Sequence, residues 1–470
     1  MKKTLRYLKR NGLRDTYAAA RERLHTQPYT YEPPSEQILL AQRKKTWSNP
    51  PFFSIVVPMY RTPERFCREM VESVLSQTYP HFELLLIDAS ETESTQDDSS
   101  QGKSPAAQYA DTDARIRYLK LPRNLGISGN TNVGIQKAKG EYIGLLDHDD
   151  VLTPDALYEM ATAIDNAYRH GTQALLLYSD EDKCLWKARK ESFGHVEDSQ
   201  NAYRYIEPHQ KTDFNLDLLL SNNYICHFLM IEADLIKRNP LRKEFDGAQD
   251  FELILSCVSE ILGESLELRQ ESAIIHIPRI LYHWRAHEES TAQDPMSKYY
   301  AYEAGQRSLR NFIQTRGFFA TVEMHKHLGF YRIVYQTDLF ANRPDIGALG
   351  GKLIKGKAVI GGCYDQEGRN LYQGLRIRES GYLHRASLQQ DAYAVDIRCV
   401  KINPKCQKLF EKVIGVPYRE TPDKSRFDDA ALPATADHSA LSIQLGKALQ
   451  NGGYRILWNP QWIRALPWYK

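Results

Sequence analysis

Four titratable side chains in a row, Asp147-His148-Asp149-Asp150, follow the apolar run "EYIGLL" in the stretch "GEYIGLLDHDDVLTP". A buried strand that ends this way concentrates negative charge where self-repulsion is costly, unless a cation shares the site. Carboxylates at i and i+2, here Asp147 and Asp149, can be aimed from a strand end into one cleft. That pair suits a divalent cation that keeps several waters and also binds phosphate oxygens, and such an ion stabilises a departing diphosphate as a Lewis acid. The same residues allow a plainer reading, a turn in which Asp150 or Thr153 caps the helix opened by "TPDAL". Asp88 and Asp180 close two further apolar runs, "FELLLID" and "QALLLYSD". Asp250, in "DGAQDFELILSCV", stands before an apolar helix, as a cap or as a carboxylate placed to take a proton.

The elements that must position these acids alternate. "FFSIVVP" (52–58) and "FELLLID" (82–88) read as buried strands, "RIRYLKL" (115–121) as an alternating, more exposed one, and "EYIGLLD" and "QALLLYSD" as two more. Phe66, Met70, Val71, Val74 and Leu75 mark a helix after the first strand, and "SGNTNVGIQKAK" opens another. Strands alternating with helices predict an α/β fold whose mostly parallel sheet is covered on both faces. Ligands of such sheets sit beyond the carboxyl ends of the strands, where Asp88, Asp147 and Asp180 all fall. "ETESTQDDSSQGKSPAAQ" reads as a polar, flexible loop.

At 470 residues the chain exceeds one ordinary core, so two or three domains are expected. No apolar run approaches the length of a membrane span. The start has no h-region and so is no signal peptide. Seven cysteines without a C-x-x-C pair predict reduced thiols in a cytoplasmic protein, not a disulfide frame or zinc cage. A net charge of +2 makes no case for nucleic acid. Residues 1–24 nevertheless hold eight Lys/Arg against two acids, with Leu5, Leu8, Leu13, Tyr17, Ala20 and Leu24 near helical spacing around Gly12. That basic amphipathic helix either packs on the domain behind it or touches an anionic membrane or partner.

"SIVVPMYRTPERF", "VESVLSQTYPHFELLLIDAS" and "RNLGISGNTNVGIQKAKGEYIGLLDHDDVLTPDAL", then "LLLYSDEDK", "LDLLLSNNYICHFLMI", "FDGAQDFELIL" and "HIPRILYHWRAHEESTA", stand in this order over roughly 52–335. Together they resemble the family 2 glycosyltransferases of the GT-A fold. The resemblance is to a branch that builds bacterial surface polysaccharides and includes many rhamnosyltransferases. It implies that Pro58 and Tyr60 line the base pocket and that Asp88 reads the base alone, where the family commonly has two acids. Asn132, with Asn124 and Gly126, would lie near the nucleotide. Asp147 and Asp149 would serve metal and ribose, with Asp149 the better metal ligand, and His287 would approach the metal or diphosphate. Asp180, Glu181 and Asp182 would border donor sugar or acceptor, and Asp250 would be the general base of an inverting transfer. Mg2+ or Mn2+ is the implied cofactor, a UDP- or dTDP-linked sugar (rhamnose by analogy) the donor, and a growing, lipid-linked glycan the acceptor.

The expected organisation is a basic N-terminal segment (1–48), the GT-A domain (49–297), a helix-and-strand linker (298–337) and a smaller α/β domain (338–470). In the last, "RPDIGALGGKLI" and "QNGGYRILWNPQWI" resemble the acceptor half of a second, degenerate glycosyltransferase unit. Two rival readings are a catalytically silent nucleotide-sugar or glycan-binding subunit and a nucleotidyltransferase. The second would want a Gly-rich phosphate loop after the first strand, where "PMYRTPERF" has no glycine.

Overall fold

The computed structural model describes residues 2–24, 28–91, 104–186, 203–266, 268–286, 299–422 and 426–467. Helices α1 (Lys2–Leu24) and α2 (Glu36–Arg43) precede strand β1 (Phe53–Met59). Then α3 (Glu64–Leu75), β2 (Phe82–Asp88), α4 (Pro105–Thr112), β3 (Ile116–Lys120), α5 (Gly126–Lys137) and β4 (Tyr142–Leu145) alternate as expected. The domain continues through β5 (Val151–Leu152), α6 (Ala156–Arg169), β6 (Leu176–Trp186), β7 (Tyr203–His209), α7 (Leu216–Leu219) and β8 (Leu229–Glu232). It closes with α8 (Ala233–Arg238), α9 (Gln249–Leu262) and β9 (Ile274–Arg285).

The sheet runs β3-β2-β1-β4-β8-β6-β9-β5, with β7 on the flank of β6. From β3 to β4 it is parallel, and every residue of β1 and β2 is buried because helices cover both faces. Ile55, Val57, Leu84 and Leu86 pack toward Met70 of α3 and Leu157 of α6, while Val56, Leu85 and Ile87 pack toward Ile135 of α5 and Leu253 of α9. Helix α5 approaches this closely because of Gly134, where a Cβ would lie 2.4 Å from Val56 Cγ1. Beyond β4 the sheet is mixed: β8 runs antiparallel to β4 and β6, and β6 and β9 are parallel again. This is the α/β, GT-A-type layout with antiparallel strands in its second half. The sequence reading missed β7 and β8, since β7 is only half-buried and β8 begins late in the longer run "YICHFLMI" and ends one residue past it.

The proline-bearing segment 28–35, between α1 and α2, is anchored to the domain. Tyr29 donates to Asp182 at 2.6 Å, and the Tyr31 ring packs against Tyr205 and His283. After β9, α10 (Tyr299–Thr315) packs along α9 and leads to the hairpin β10 (Ala320–Met324) and β11 (Tyr331–Tyr335). The C-terminal part centres on β12 (Ile346–Lys355), parallel to strand Arg455–Leu466 and antiparallel to Ala358–Gly361 and Val400–Ile402. It has its own core, including Ala348, Phe410, Phe427, Leu445 and Trp458. All seven cysteines are free thiols, and no helix among the described residues is long and apolar enough to cross a membrane.

Candidate active site

The parallel register places Asp88 beside Met59 at the carboxyl edge of the sheet. One Asp88 oxygen accepts from the Ser90 backbone N–H at 2.8 Å, and the other from the Tyr118 hydroxyl at 2.7 Å and Lys120 Nζ at 3.0 Å. Burial pushes the Asp88 carboxyl up, but these donors outweigh it and hold it below the usual range. Pro58 lies in the last turn of β1, and Tyr60, just past the strand, carries the Arg61 guanidinium 5.2 Å from its ring. Asn124 Oδ1 accepts from Gly126 N and Asn130 Nδ2, both at 2.9 Å, which is turn chemistry at the start of α5. Asn132 is spent at both ends on Leu241: Nδ2 donates to the carbonyl at 2.7 Å and Oδ1 accepts from N–H at 3.0 Å. Its expected nucleotide contact gives way to a tie between α5 and the segment leading to α9.

The acids after β4 divide their work. Asp150 is fully buried and accepts from the Tyr282 hydroxyl and from Arg285 N–H at 2.7 Å, so it pins β9 to the turn. Burial and the nearby Asp149 and Asp147 push its pKa well above the ordinary value. Helix α6 starts at Asp155 without a side-chain cap, so neither Asp150 nor Thr153 caps it. Asp147 faces the opposite way, with 52% of its side chain open to the cleft and Oδ2 3.7 Å from His227 Nε2. Its depth in the cleft raises its pKa, His227 and His148 oppose this, and Asp149 and Asp250 add to it. The strand-end pair and the acid that starts α9 therefore share one field.

Of the three acids in β6, two are committed inward. Asp180 Oδ1 accepts from Lys211 N–H and lies 2.8 Å from His276 Nε2, and buried Asp182 is held by His283 and Tyr29. Both carboxylates are engaged inside the protein, and register shifts between Ser179 and Glu181 break the regular alternation of β6 at this point. Glu181 meets His227 Nδ1 at 3.1 Å, His209 at 3.2 Å and Lys211 at 3.7 Å. Burial pushes its carboxyl up, and the charge of Lys211 with the hydrogen bonds of His209 and His227 more than reverses that.

Asp250 is the second residue of α9, whose N-cap, Ala248, makes no side-chain cap bond. The cap reading of Asp250 therefore falls. Its Oδ2 instead accepts from Asn223 Nδ2 at 3.0 Å and from the Cys226 thiol at 3.4 Å. Burial pushes that thiol up to about 12, so Cys226 stays protonated at neutral pH and can donate. Cys226 Sγ also lies 3.4 Å from His227 Nε2, which links the Asp250 and Asp147 sides of the cleft.

Residues 54–238 match the family model described as glycosyl transferase family 2. This domain belongs to that family. Among curated proteins the chain is 35% identical over 275 residues to the uncharacterized protein y4gI of Sinorhizobium fredii, covering 58% of this chain and 27% of that protein. It is 31% identical over 309 residues to the O-antigen biosynthesis protein RfbC of Myxococcus xanthus, covering 64% of this chain and 21% of that protein. The chain thus spans about a quarter of the length of these relatives. Among solved structures, S. aureus TarS 1-349 aligns with TM-score 0.37 at 16% identity, over 56% of this chain and 65% of that one.

In the family 2 domain, the Asp147 carboxylate opens on the cleft, and Asp149, two residues on, is near enough to act on its charge. Among the described residues no group of three or more His, Cys, Asp and Glu is arranged to hold a metal. Two carboxylates completed by water and phosphate oxygens are the donor set on which Mg2+ and similar hard cations sit beside a diphosphate, so these residues fit an ion that arrives with its ligand. His287 lies outside the described residues. The domain also brings in Asn223, Cys226 and His227, which sequence reasoning passed over. The available signal was a Cys-His pair embedded in "YICHFLMI", polar atoms where only apolar ones belong.

Proposed function

We propose that this chain is an inverting, metal-dependent glycosyltransferase acting in the assembly of a bacterial surface polysaccharide. It takes a sugar from a nucleoside diphosphate donor and adds it to a growing, lipid-linked glycan on the cytoplasmic side. The observation that carries this reading is the anchoring of Asp250. Asn223 and Cys226 hold its Oδ2, while among the described residues Oδ1 accepts no hydrogen bond and Asp147 lies close enough to sense its charge. A base for an acceptor hydroxyl needs this arrangement, with one oxygen fixed and the other free to take a proton. The acceptor oxygen bonds to the anomeric carbon as the bond from that carbon to the diphosphate breaks on the opposite face. The hydroxyl proton goes to Asp250 and the nucleoside diphosphate leaves. A divalent cation on Asp147 and Asp149, when bound, supplies charge neutralisation for that leaving group.

Asp88 supports the donor half of the reading. Kept ionised by Tyr118, Ser90 and Lys120, it has lone pairs left to accept the N3–H of uracil or thymine. Support for the polysaccharide role comes from relatives whose names place them in O-antigen and colanic acid biosynthesis.

The test is donor binding and hydrolysis over a panel of nucleotide sugars, with and without Mg2+ or Mn2+, for wild type, Asp149→Ala and Asp250→Asn. Expected is metal-dependent binding of one donor that Asp149→Ala weakens. Asp250→Asn should keep binding while turnover falls by roughly 10²–10⁴-fold. Failure of every donor to bind, or full turnover by Asp250→Asn, overturns the proposal.

A further inference from the structure

Helix α1 is the most basic segment of the chain, and the structure sorts its charges. Residues 1–24 carry +6 in a protein of net +2, which leaves −4 on the other 446 residues. The helix breaks at Gly12 (φ 75°, ψ 172°), and its second limb lies against hairpin β10–β11 and the segment 376–384. Both acids of α1 point inward. Asp15 pairs with Lys326 at 3.1 Å and Arg378 at 3.5 Å, and Glu22 accepts from Gly381 N–H at 2.7 Å. Arg21 donates to Glu379 on the same side, and Ala18 is buried at the centre of the contact.

The outward face is left without an acid. It presents Leu13, 77% exposed, and Tyr17, 65% exposed, one helical turn apart, with exposed Lys9, Arg14 and Arg23 around them. A helix docked only for stability would gain by turning Leu13 inward; here the docked face is the one with the acids, and the apolar pair is in water. Apolar and aromatic tips flanked by cations match the interfacial zone of a bilayer, where rings and aliphatic chains sink below the headgroups and cations stay among the phosphates. Each Lys or Arg near an anionic surface adds to binding, and the effect decays within a Debye length.

We infer that the outer face of α1, built around Leu13, Tyr17, Arg14 and Arg23, docks the protein on an anionic lipid surface. Because the rest of the chain is net acidic, this face also sets the orientation. The inference is independent of the transferase reading, since lipid binding can be lost with donor turnover intact and the reverse.

The test is co-sedimentation of the full chain with phosphatidylcholine vesicles and with the same vesicles containing phosphatidylglycerol, at low and high salt. Leu13→Glu/Tyr17→Glu is run alongside; both positions are exposed, and circular dichroism and donor turnover check its fold. Wild type should pellet only with the anionic vesicles and release at high salt, and the double variant should bind at least ~10-fold more weakly. Absence of pelleting, equal pelleting on neutral vesicles, or unchanged pelleting of a folded double variant overturns it. So does preferential capture by a soluble polyanion such as heparin, which would assign the face to an acidic macromolecule.

Discussion

Asp250 depends on two residues that lie 24 and 27 positions earlier in the chain. Asn223 Nδ2 reaches its Oδ2 at 3.0 Å while Asn223 Oδ1 accepts from Cys226 N–H at 3.3 Å, so one amide fixes both the carboxylate and the turn that carries the thiol. Asn223→Ala should therefore lower kcat by roughly 10–100-fold through lost positioning, with the donor KM little changed because Asn223 makes no contact at the base-binding edge. Asn223→Ser, which keeps a donor, should recover part of kcat. Steady-state kinetics with saturating acceptor separate the outcomes, and a rise in KM at constant kcat would count against positioning. Asp250 itself was legible from the sequence through "DGAQDFEL". Its anchors were not, because the chain brings them together only through the loop between α7 and β8, and no local pattern records that. For Asp180 and Asp182 the motif was visible, but their partners Lys211, His276, His283 and Tyr29 come from distant segments that no local pattern records.

The elements β1 and β2 were readable because burial on both faces demands mostly apolar runs, and Ser54 and Glu83, the polar residues near their starts, explain each other. Ser54 donates to Glu83 Oε1 at 2.7 Å, Lys139 N–H meets the same oxygen at 2.7 Å, and Arg117 meets Oε2 at 2.7 Å. One carboxylate thus ties β1, β2, β3 and the approach to β4. Burial raises the Glu83 pKa, but Ser54, Arg117 and the Lys139 amide together bring it below the ordinary value. A depressed carboxyl contributes stability that is fully present above its unfolded pKa of about 4.3 and is lost as pH falls through the lower folded value. Glu83→Gln should cost on the order of 1–3 kcal/mol at pH 7. The gap to wild type should narrow as the solution is taken below about pH 4. Urea unfolding at the two pH values measures it, and a gap independent of pH would show that the charge of Glu83 contributes nothing. The mixed second half of the sheet was less readable for a physical reason: β7 is half-buried, and the short β8 does not end where its apolar run does.

At the scale of the molecule, the C-terminal domain is joined to the family 2 domain by buried charge. Arg343, fully buried, donates to both oxygens of Asp217 on α7, at 3.0 and 3.2 Å, and to Asp345 at 2.7 Å. Burial opposes its charge, but the two carboxylates hold the guanidinium pKa well above its ordinary value and hold Asp217 below its own. Arg455 makes a second bridge, from the last strand to Glu271 and Asp391, and Asp391 in turn accepts from Leu216 N–H at 2.9 Å. Such networks gain little over a well-packed apolar contact, yet breaking one partner strands the others without solvent. Arg343→Met should therefore destabilise the whole chain by roughly 3–5 kcal/mol. Replacing Asp217 and Asp345 by Leu in the same protein should restore most of that. Calorimetry reads the stability, and hydrogen exchange at α7 and β12 locates the loosening. If Arg343→Met alone unfolds as late as wild type, the domains are held by their apolar contacts and this interface is incidental. If the triple variant recovers stability and keeps donor turnover, the ion network sets how the C-terminal domain sits and has no part in the chemistry. If stability returns without turnover, α7 and the loop after it carry the effect from this interface to Asn223 and so to Asp250.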